Sequence, residues 1–364
     1  MAKAGERTYH IRPALNGQTL AAAVRVLVTG TSWADARQLV HDRHVSVNGN
    51  LSLDDTRRVK AGDVVKIFEH ARPAVPSERD VRVLHLDADL IVIDKPPGIT
   101  TLRHAEERGW DDRRKQRQPT LDEVLQKMLP SVIQSHRDRA GPRVGHPLAR
   151  GAQDKVVPKQ HGRVSGKEAL PPPRVARVRA VHRLDRDTSG LMIFALSPRA
   201  EQALVQLFKD HAIRRSYWAV AVGRVEPRTI ESWLLRDRGD GLRGSSREGK
   251  DDPDAQHAVT HVKPIEHLGD RYTVVGCRLE TGRTHQIRIH LAEAGHMLCG
   301  EKVYVRPAVG APPLTDPSGA PRQALHSHEL AFTHPITNQP MMFTAPVPRD
   351  LAEWVGRLRV NVRP

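Results

Sequence analysis

Apolar and polar positions along this chain fall into three regimes. In the first, about residues 15 to 70, Leu20, Ala23, Val24 and Leu27 recur at helical spacing. Ser32 can cap a second helix, in which Trp33, Ala36 and Val40 share a face. Val45-Ser46-Val47 continues as a strand, and Asn48-Gly49 supplies a hairpin turn that accepts positive φ. Ala61-Gly62-Asp63 predicts another turn ahead of the strand Val64-Val65-Lys66-Ile67-Phe68. Two small helices and a short sheet bury too little core for an enzyme, so this regime reads as an accessory module. Residues 71–82, polar and carrying Pro73 and Pro76, read as a linker. From Val83 the pattern changes. Leu90-Ile91-Val92-Ile93 is a strongly apolar strand ended by Asp94-Lys95-Pro96-Pro97-Gly98, and a helix is expected from Leu121 to Leu129. Residues about 103–118 and 131–178 are poor in large apolar groups, and Arg103 to Ala180 as a whole holds 18 basic and 9 acidic side chains. Such a composition cannot bury enough surface to offset ordering entropy, so about 103–178 reads as a basic, partly disordered insertion. The third regime runs from Val181 to about Leu358. In it, Leu191-Met192-Ile193-Phe194-Ala195 is an apolar strand. Thr284, then Ile287, Leu291 and Ala294, then Gly295 are spaced as cap, apolar face and stop of a helix.

Charge adds partners to this picture. The 364 residues carry a formal net charge of +15 and a pI of about 10.3. Excess charge speaks to association rather than fold. Here it runs along the whole chain, which suits a polyphosphate such as RNA, since each neutralised phosphate releases counterions; the insertion would then order on RNA. The alternative is a solubility surplus. Cys277 and Cys299 form no Cys-x-x-Cys pair, so neither a zinc site of that type nor a disulfide scaffold is expected. The 20 histidines raise a metal site. His285 and His290, however, are five apart: opposite on a strand and about 140° apart on a helix. They cannot chelate together, which sets aside a zinc hydrolase or deaminase. No apolar run matches a signal peptide or a membrane span. The chain is expected to be soluble, cytoplasmic and monomeric, without a membrane partner.

The densest charge ahead of an apolar strand is Val181-His182-Arg183-Leu184-Asp185-Arg186-Asp187-Thr188-Ser189-Gly190. A carboxylate placed there sits at a cleft edge, where burial and cations tune it. From the residues alone, Arg183, Asp185, Arg186 and Asp187 could equally form a surface ion-pair turn. The run His182-Arg183-Leu184-Asp185, then Thr188-Ser189-Gly190, resembles the RluA-type pseudouridine synthases. Four other segments agree in order: Asp94-Lys95-Pro96-Pro97-Gly98, Arg215 to Gly223, Thr281 to Leu291, and Ala324-Leu325-His326 with Phe332-Thr333-His334-Pro335. The likeness covers most of 84–100, 120–129 and 181–352, and leaves out the insertion. Ahead of it, Ala36 to Val40, Val45 to Gly49 and Val59 to Val65 resemble the S4 RNA-binding domain. That is the arrangement of synthases acting on large-subunit ribosomal RNA.

The resemblance implies an α+β fold: a mixed, mostly antiparallel sheet with flanking helices and a central cleft over 83–358, plus the small S4 domain. It implies that Asp185 is the catalytic carboxylate, that Arg288 pairs with it, and that Tyr217 stacks on the uracil. Arg183 would fill the space of the extruded base, with His182, Thr188, Arg283 and His285 also contacting substrate. In the S4 module, Arg37, Arg43, Arg57, Arg58 and Lys60 would meet phosphates. Read without the resemblance, Arg288 and Arg183 could be phosphate contacts, Tyr217 strand core, and the S4 cations a solvated face. The reaction implied breaks a glycosidic bond at nitrogen and re-forms it at carbon of the same base. No redox change occurs, so neither cofactor nor metal is expected. Three departures stand out: Arg215 replaces the lysine usual two residues before the tyrosine, Ile99 to His104 differs from the usual continuation, and the long insertion immediately before His182 bears on substrate choice. The leading expectation is an isomerase acting on ribosomal RNA. Its rivals are the same chemistry on transfer RNA and a catalytically silent RNA-binding or ribosome-assembly factor.

Overall fold

The computed structural model describes residues 6–48, 50–69, 71, 76–103, 105–140 and 177–361. The turn residue Gly49, part of the expected linker and residues 141–176 of the expected insertion lie outside the described residues. The chain divides into two compact units. One holds the residues up to Ser77 together with Gly98–Leu121, the other Glu78–Pro97 and the chain from Asp122 onward. No helix among the described residues is long and apolar enough to cross a membrane.

In the first unit, β1 (Glu6–His10), α1 (Leu20–Leu27), α2 (Trp33–His41), β2 (Val45–Val47), β3 (Asn50–Leu51) and β4 (Val64–Phe68) follow in order. The strands make an antiparallel sheet in the order β1-β4-β2-β3. Both helices begin on side-chain caps: the Thr19 hydroxyl accepts from Ala22 N, and Ser32 and Asp35 form a reciprocal capping box. Leu20, Ala23, Val24, Ala36 and Val40 pack on Val45, Val47, Val65 and Ile67, all buried. Trp33 corrects the expected inner face of α2. It is about half exposed, because its ring stays outside under the Arg25 guanidinium, 4.7 Å from the ring centre. Asn48 adopts the expected positive φ, and its side chain ties the two turns together by donating to Asp63 Oδ1 and accepting from Val64 N. In Gly98–Leu121 lies α3 (Asp112–Arg117), and Gln118 Nε2 donates to Leu51 O.

The second unit is built on β5 (Arg82–Leu86), β6 (Leu90–Lys95), α4 (Leu121–Ala140), β7 (Arg179–Ala180), β8 (Ser189–Ala195), α5 (Pro198–Lys209), β9 (Arg214–Val222), β10 (Arg228–Leu235) and β11 (Gly244–Ser245). After these come β12 (Gln256–Leu268), β13 (Tyr272–Leu279), α6 (Gln286–Glu293), β14 (Leu325–Thr333), β15 (Pro340–Thr344) and α7 (Arg349–Asn361). The helix expected to stop at Leu129 continues to Ala140. Eleven strands join in one sheet along β11-β10-β12-β13-β9-β14-β8-β6-β5, with β15 added to β14 and β7 to β8. The sheet is mixed and mostly antiparallel, as expected. Its parallel contact is short, His326 opposite Ser189 and Ser327 opposite Gly190. β8 is buried along its whole length, which explains its unbroken apolar run. Gly190 is required at the seam. Its φ is +112°, and a Cβ there would lie 2.2 Å from Ser327 O. The sheet is covered by α5 through Ala200 and Leu204, and by α7 through Leu351, Trp354 and Val355.

Candidate active site

The turn between β7 and β8 carries Asp185, and the strand it feeds is fixed in the middle of the sheet. Thr188 N closes the turn on Asp185 O at 3.2 Å. Beneath it sits Lys95, completely buried, whose Nζ donates to the carbonyls of Pro96, Arg186 and Thr188 at 3.0, 2.9 and 2.8 Å. Burial pushes the Lys95 amine down to about 7. Yet three carbonyls claim three hydrogens, which only the ammonium form possesses, so the geometry favours a charged Lys95. This residue belongs to the Asp94 to Gly98 motif, whose spacing had marked a strand end rather than a support for the Asp185 turn.

Across the cleft, α6 is buried on every side from Gln286 to Ala292. A helix so enclosed must satisfy its polar side chains internally. Gln286 accepts from Arg283 N and Thr281 Oγ1 and donates to Val259 O and Thr260 Oγ1. His290 meets Thr260 and Ser232. The expected Thr284 cap is therefore corrected. The capping position is His285, in the left-handed conformation at φ 61° with no side-chain cap bond, and Gln286 ties the helix entrance down instead. Gly295, at φ +85°, follows the helix end as expected.

Arg288 projects from α6 between two carboxylates. Its NH1 donates to Asp185 Oδ2 at 2.9 Å, while Nε and NH2 grip Glu301 Oε2 and Oε1 at 2.8 and 2.7 Å. Glu301 Oε1 also accepts from the backbone N–H of Lys302 and Val303. Burial opposes the charge on Arg288, but the Glu301 bonds and charge, with Asp185, outweigh it and hold the guanidinium above its ordinary value. Burial likewise opposes ionisation of Glu301, and Arg288 more than compensates, so its carboxyl lies below the usual range. Sequence reasoning found the Asp185–Arg288 pair and missed Glu301. No motif surrounds this lone acid in Gly300-Glu301-Lys302, and only its burial against Arg288 reveals it.

Asp185, Tyr217, Arg183, Arg283, His285 and Arg288 line one cleft, with Thr188, Ile287 and Leu325 in its walls. A larger hollow near Leu268, Tyr272, Ser318 and Leu358 contains none of these groups. Tyr217 is buried on β9, and burial raises its hydroxyl above the ordinary tyrosine value. His285 Nδ1 meets Tyr304 OH at 2.6 Å, and its Nε2 lies 3.6 Å from Asp185 Oδ1. Burial pushes His285 down to about 4, so the ring is neutral at neutral pH. Arg283 spends Nε on His257 O, while Arg183 is exposed at the cleft mouth. His182, expected to contact substrate, is not among the side chains that line the cleft. Its ring stacks on Phe208 at 4.7 Å and its Nε2 accepts from Ile193 N, so it braces β8. Thr188 is buried, with its carbonyl on Lys95. In the other unit, Arg37, Arg58 and Lys60 are exposed, and Arg43 and Arg57 are half-buried; Arg58 donates to Gly17 O. Among the described residues, no cluster of three or more His, Cys, Asp or Glu is placed to hold a metal ion.

Comparison with known proteins points the same way. The pattern of the family described as RNA pseudouridylate synthase matches residues 89–293, more than half the chain. Ribosomal large subunit pseudouridine synthase D of Vibrio cholerae is 30% identical over 377 residues, spanning 100% of this chain and 98% of that protein. An uncharacterized RNA pseudouridine synthase of Bacillus subtilis is 29% identical over 341 residues, 92% of each chain. The structure of human RNA pseudouridylate synthase domain containing 4 superposes with a TM-score of 0.51 at 19% identity, over 76% of this chain and 93% of that one, a likeness of fold.

Proposed function

We propose that this chain, which belongs to the RNA pseudouridylate synthase family, isomerises uridines of large-subunit ribosomal RNA, with Asp185 as the reacting carboxylate. The observation that carries the reading is the Asp185–Arg288 ion pair, 2.9 Å long, at the floor of a cleft also lined by Tyr217. The ribosomal substrate is supported by the Vibrio cholerae relative, whose name carries it and which aligns along the full chain.

In this mechanism the target uridine leaves its stack and enters the cleft, where Tyr217 stacks on the ring and offsets part of the unstacking cost. Arg183, exposed at the mouth, occupies the place the base vacates. Asp185 then either attacks the ring or the sugar carbon, or assists elimination at the sugar. Each route separates the base from the sugar at nitrogen so that it can rotate and rejoin at carbon, dividing one hard step into easier ones. Arg288 keeps the carboxylate aimed and balances its charge, and is itself kept in place by Glu301. The first compact unit acts as an S4-type module whose Arg37, Arg43, Arg57, Arg58 and Lys60 face phosphates, while Arg283 and His285 hold the nucleotide at the cleft. The reading carries a cytoplasmic location, action as a monomer and no cofactor.

The test is a map of pseudouridine across all cellular RNA in a strain lacking the protein, and in the same strain carrying it. Loss and return of specific sites in large-subunit RNA is expected. Sites lost only from transfer RNA would move the substrate, and no lost site would favour a silent binding factor.

A further inference from the structure

Three successive carbonyls follow Asp185, and each is held by a cation. Lys95 takes those of Arg186 and Thr188, and Arg322 takes that of Asp187 at 3.0 Å. Arg322 lies in the approach to β14, beyond the span that matches the family pattern. Its five N–H groups are all engaged. Nε and NH2 clasp the two oxygens of Asp350 at 2.7 and 3.2 Å, and NH2 also donates to Ser189 Oγ at 3.2 Å. NH1 serves Asp187 O and, at 3.4 Å, Gln323 O. Ser189 Oγ in turn meets His326 Nδ1 at 3.0 Å. His326 Nε2 faces Ala345 O, which only accepts, so Nε2 carries the ring hydrogen and Ser189 is the donor to Nδ1. Asp350 sits in the first turn of α7. A chain of directed bonds thus runs from the C-terminal helix to the backbone and side chain of the residues just after Asp185.

We propose that Arg322, anchored by Asp350, is a positioning residue for the isomerisation: it locks the backbone of the Asp185 turn so that the carboxylate stays on Arg288 and faces the base. The inference rests on Asp185 being the reacting group. A planar fork with five donors suits five acceptor atoms on four residues in different directions; lysine has three donors and no plane, and cannot reproduce the set. Arg322 touches neither Asp185 nor Arg288 by side chain, so its effect must pass through the backbone.

The test compares wild type with Arg322→Lys, Asp350→Asn, Asp350→Glu and the Arg322→Lys/Asp350→Asn pair. Single-turnover pseudouridine formation at saturating ribosomal RNA, RNA affinity and the melting midpoint are measured on each full-length protein. Arg322→Lys is expected to slow the chemical step by about 10²-fold, the scale of a misplaced reacting group, with RNA affinity unchanged. Asp350→Asn should slow it by less, Asp350→Glu should restore most of the loss, and the double variant should be no slower than Arg322→Lys alone. An unchanged chemical step in Arg322→Lys or in Asp350→Asn, or a loss confined to affinity or melting, overturns the proposal. Should Arg322→Lys fail to fold, Asp350→Asn decides, since Asp350 is exposed. Wild-type protein that makes no pseudouridine overturns the functional reading itself, and the inference with it.

Discussion

Glutamine in place of Glu301 isolates what holds Arg288. The glutamate uses one oxygen for Arg288 Nε and the other for Arg288 NH2 and three backbone N–H groups, of Lys302, Val303 and Tyr304. Its side chain is 1% exposed. A glutamine has one acceptor and one NH2. Whichever way it turns, that NH2 faces a donor, and the buried guanidinium loses half of its clasp. Breaking one partner of a buried pair costs about 3–5 kcal/mol. In a body of this size that lowers the melting midpoint by roughly 10 °C. With its anchor gone, Arg288 no longer aims Asp185, and the chemical step should slow by about 10²-fold. The pH dependence has a definite sign. The Glu301 carboxyl is depressed in the folded state, so its stabilisation is present above the ordinary glutamate value of 4.5 and fades as pH falls below it. Wild-type and Glu301→Gln melting curves should therefore lie far apart at neutral pH and converge in acid. The assays are thermal melting between pH 3 and 8 on the scale of about one pH unit per step, and single-turnover pseudouridine formation. A variant that melts and reacts like wild type refutes the clasp. One that melts lower yet reacts at full rate shows that Glu301 stabilises the fold without aiming Arg288.

Gly190→Ala should damage the sheet at its parallel seam. The added methyl meets Ser327 backbone atoms at a positive φ, costing about 3 kcal/mol or more, visible as a lower melting midpoint or loss of soluble protein; wild-type melting would contradict the close approach. Arg37→Ala with Lys60→Ala should weaken binding to large-subunit RNA and reduce the slope of log affinity against log salt by roughly 1 to 2, while leaving the rate at saturating RNA intact. An unaltered slope would remove these side chains from the phosphate contacts.

Much of the fold was legible because local pattern and tertiary burial agree. Ser32 announces a helix start, Asn48 and Gly62 announce turns, and the apolar runs of β6 and β8 need no partner to be read as core strands. The candidate site was legible only through the motifs that carry the family resemblance: Asp185, Tyr217 and Arg288 converge on one cleft from the turn before β8, β9 and α6. What escaped depends on contacts far apart in sequence. Glu301 is an isolated acid until it closes on Arg288. Arg322 resembles any loop arginine until its fork is seen spanning Asp187, Ser189 and Asp350. His182 sits inside the densest motif, yet the stacking on Phe208 that turns its ring inward involves α5, which no local pattern specifies. Thr284 has the chemistry of a cap, but the left-handed turn at His285 and the amide of Gln286 leave it no such task. β1 was missed because Glu6–His10 carries too few apolar residues to be recognised without its partner β4.

The reacting role of Asp185 is tested most directly by Asp185→Asn, which keeps size and removes the charge facing Arg288. Purified wild type and variant are each given large-subunit ribosomal RNA in excess of binding, and pseudouridine formation and RNA affinity are measured together. The expected result is no isomerisation by Asp185→Asn with affinity essentially that of wild type, since a single carboxylate attracts no phosphate. Sustained turnover by Asp185→Asn would contradict the assignment of Asp185 and, with it, the mechanism built on this cleft.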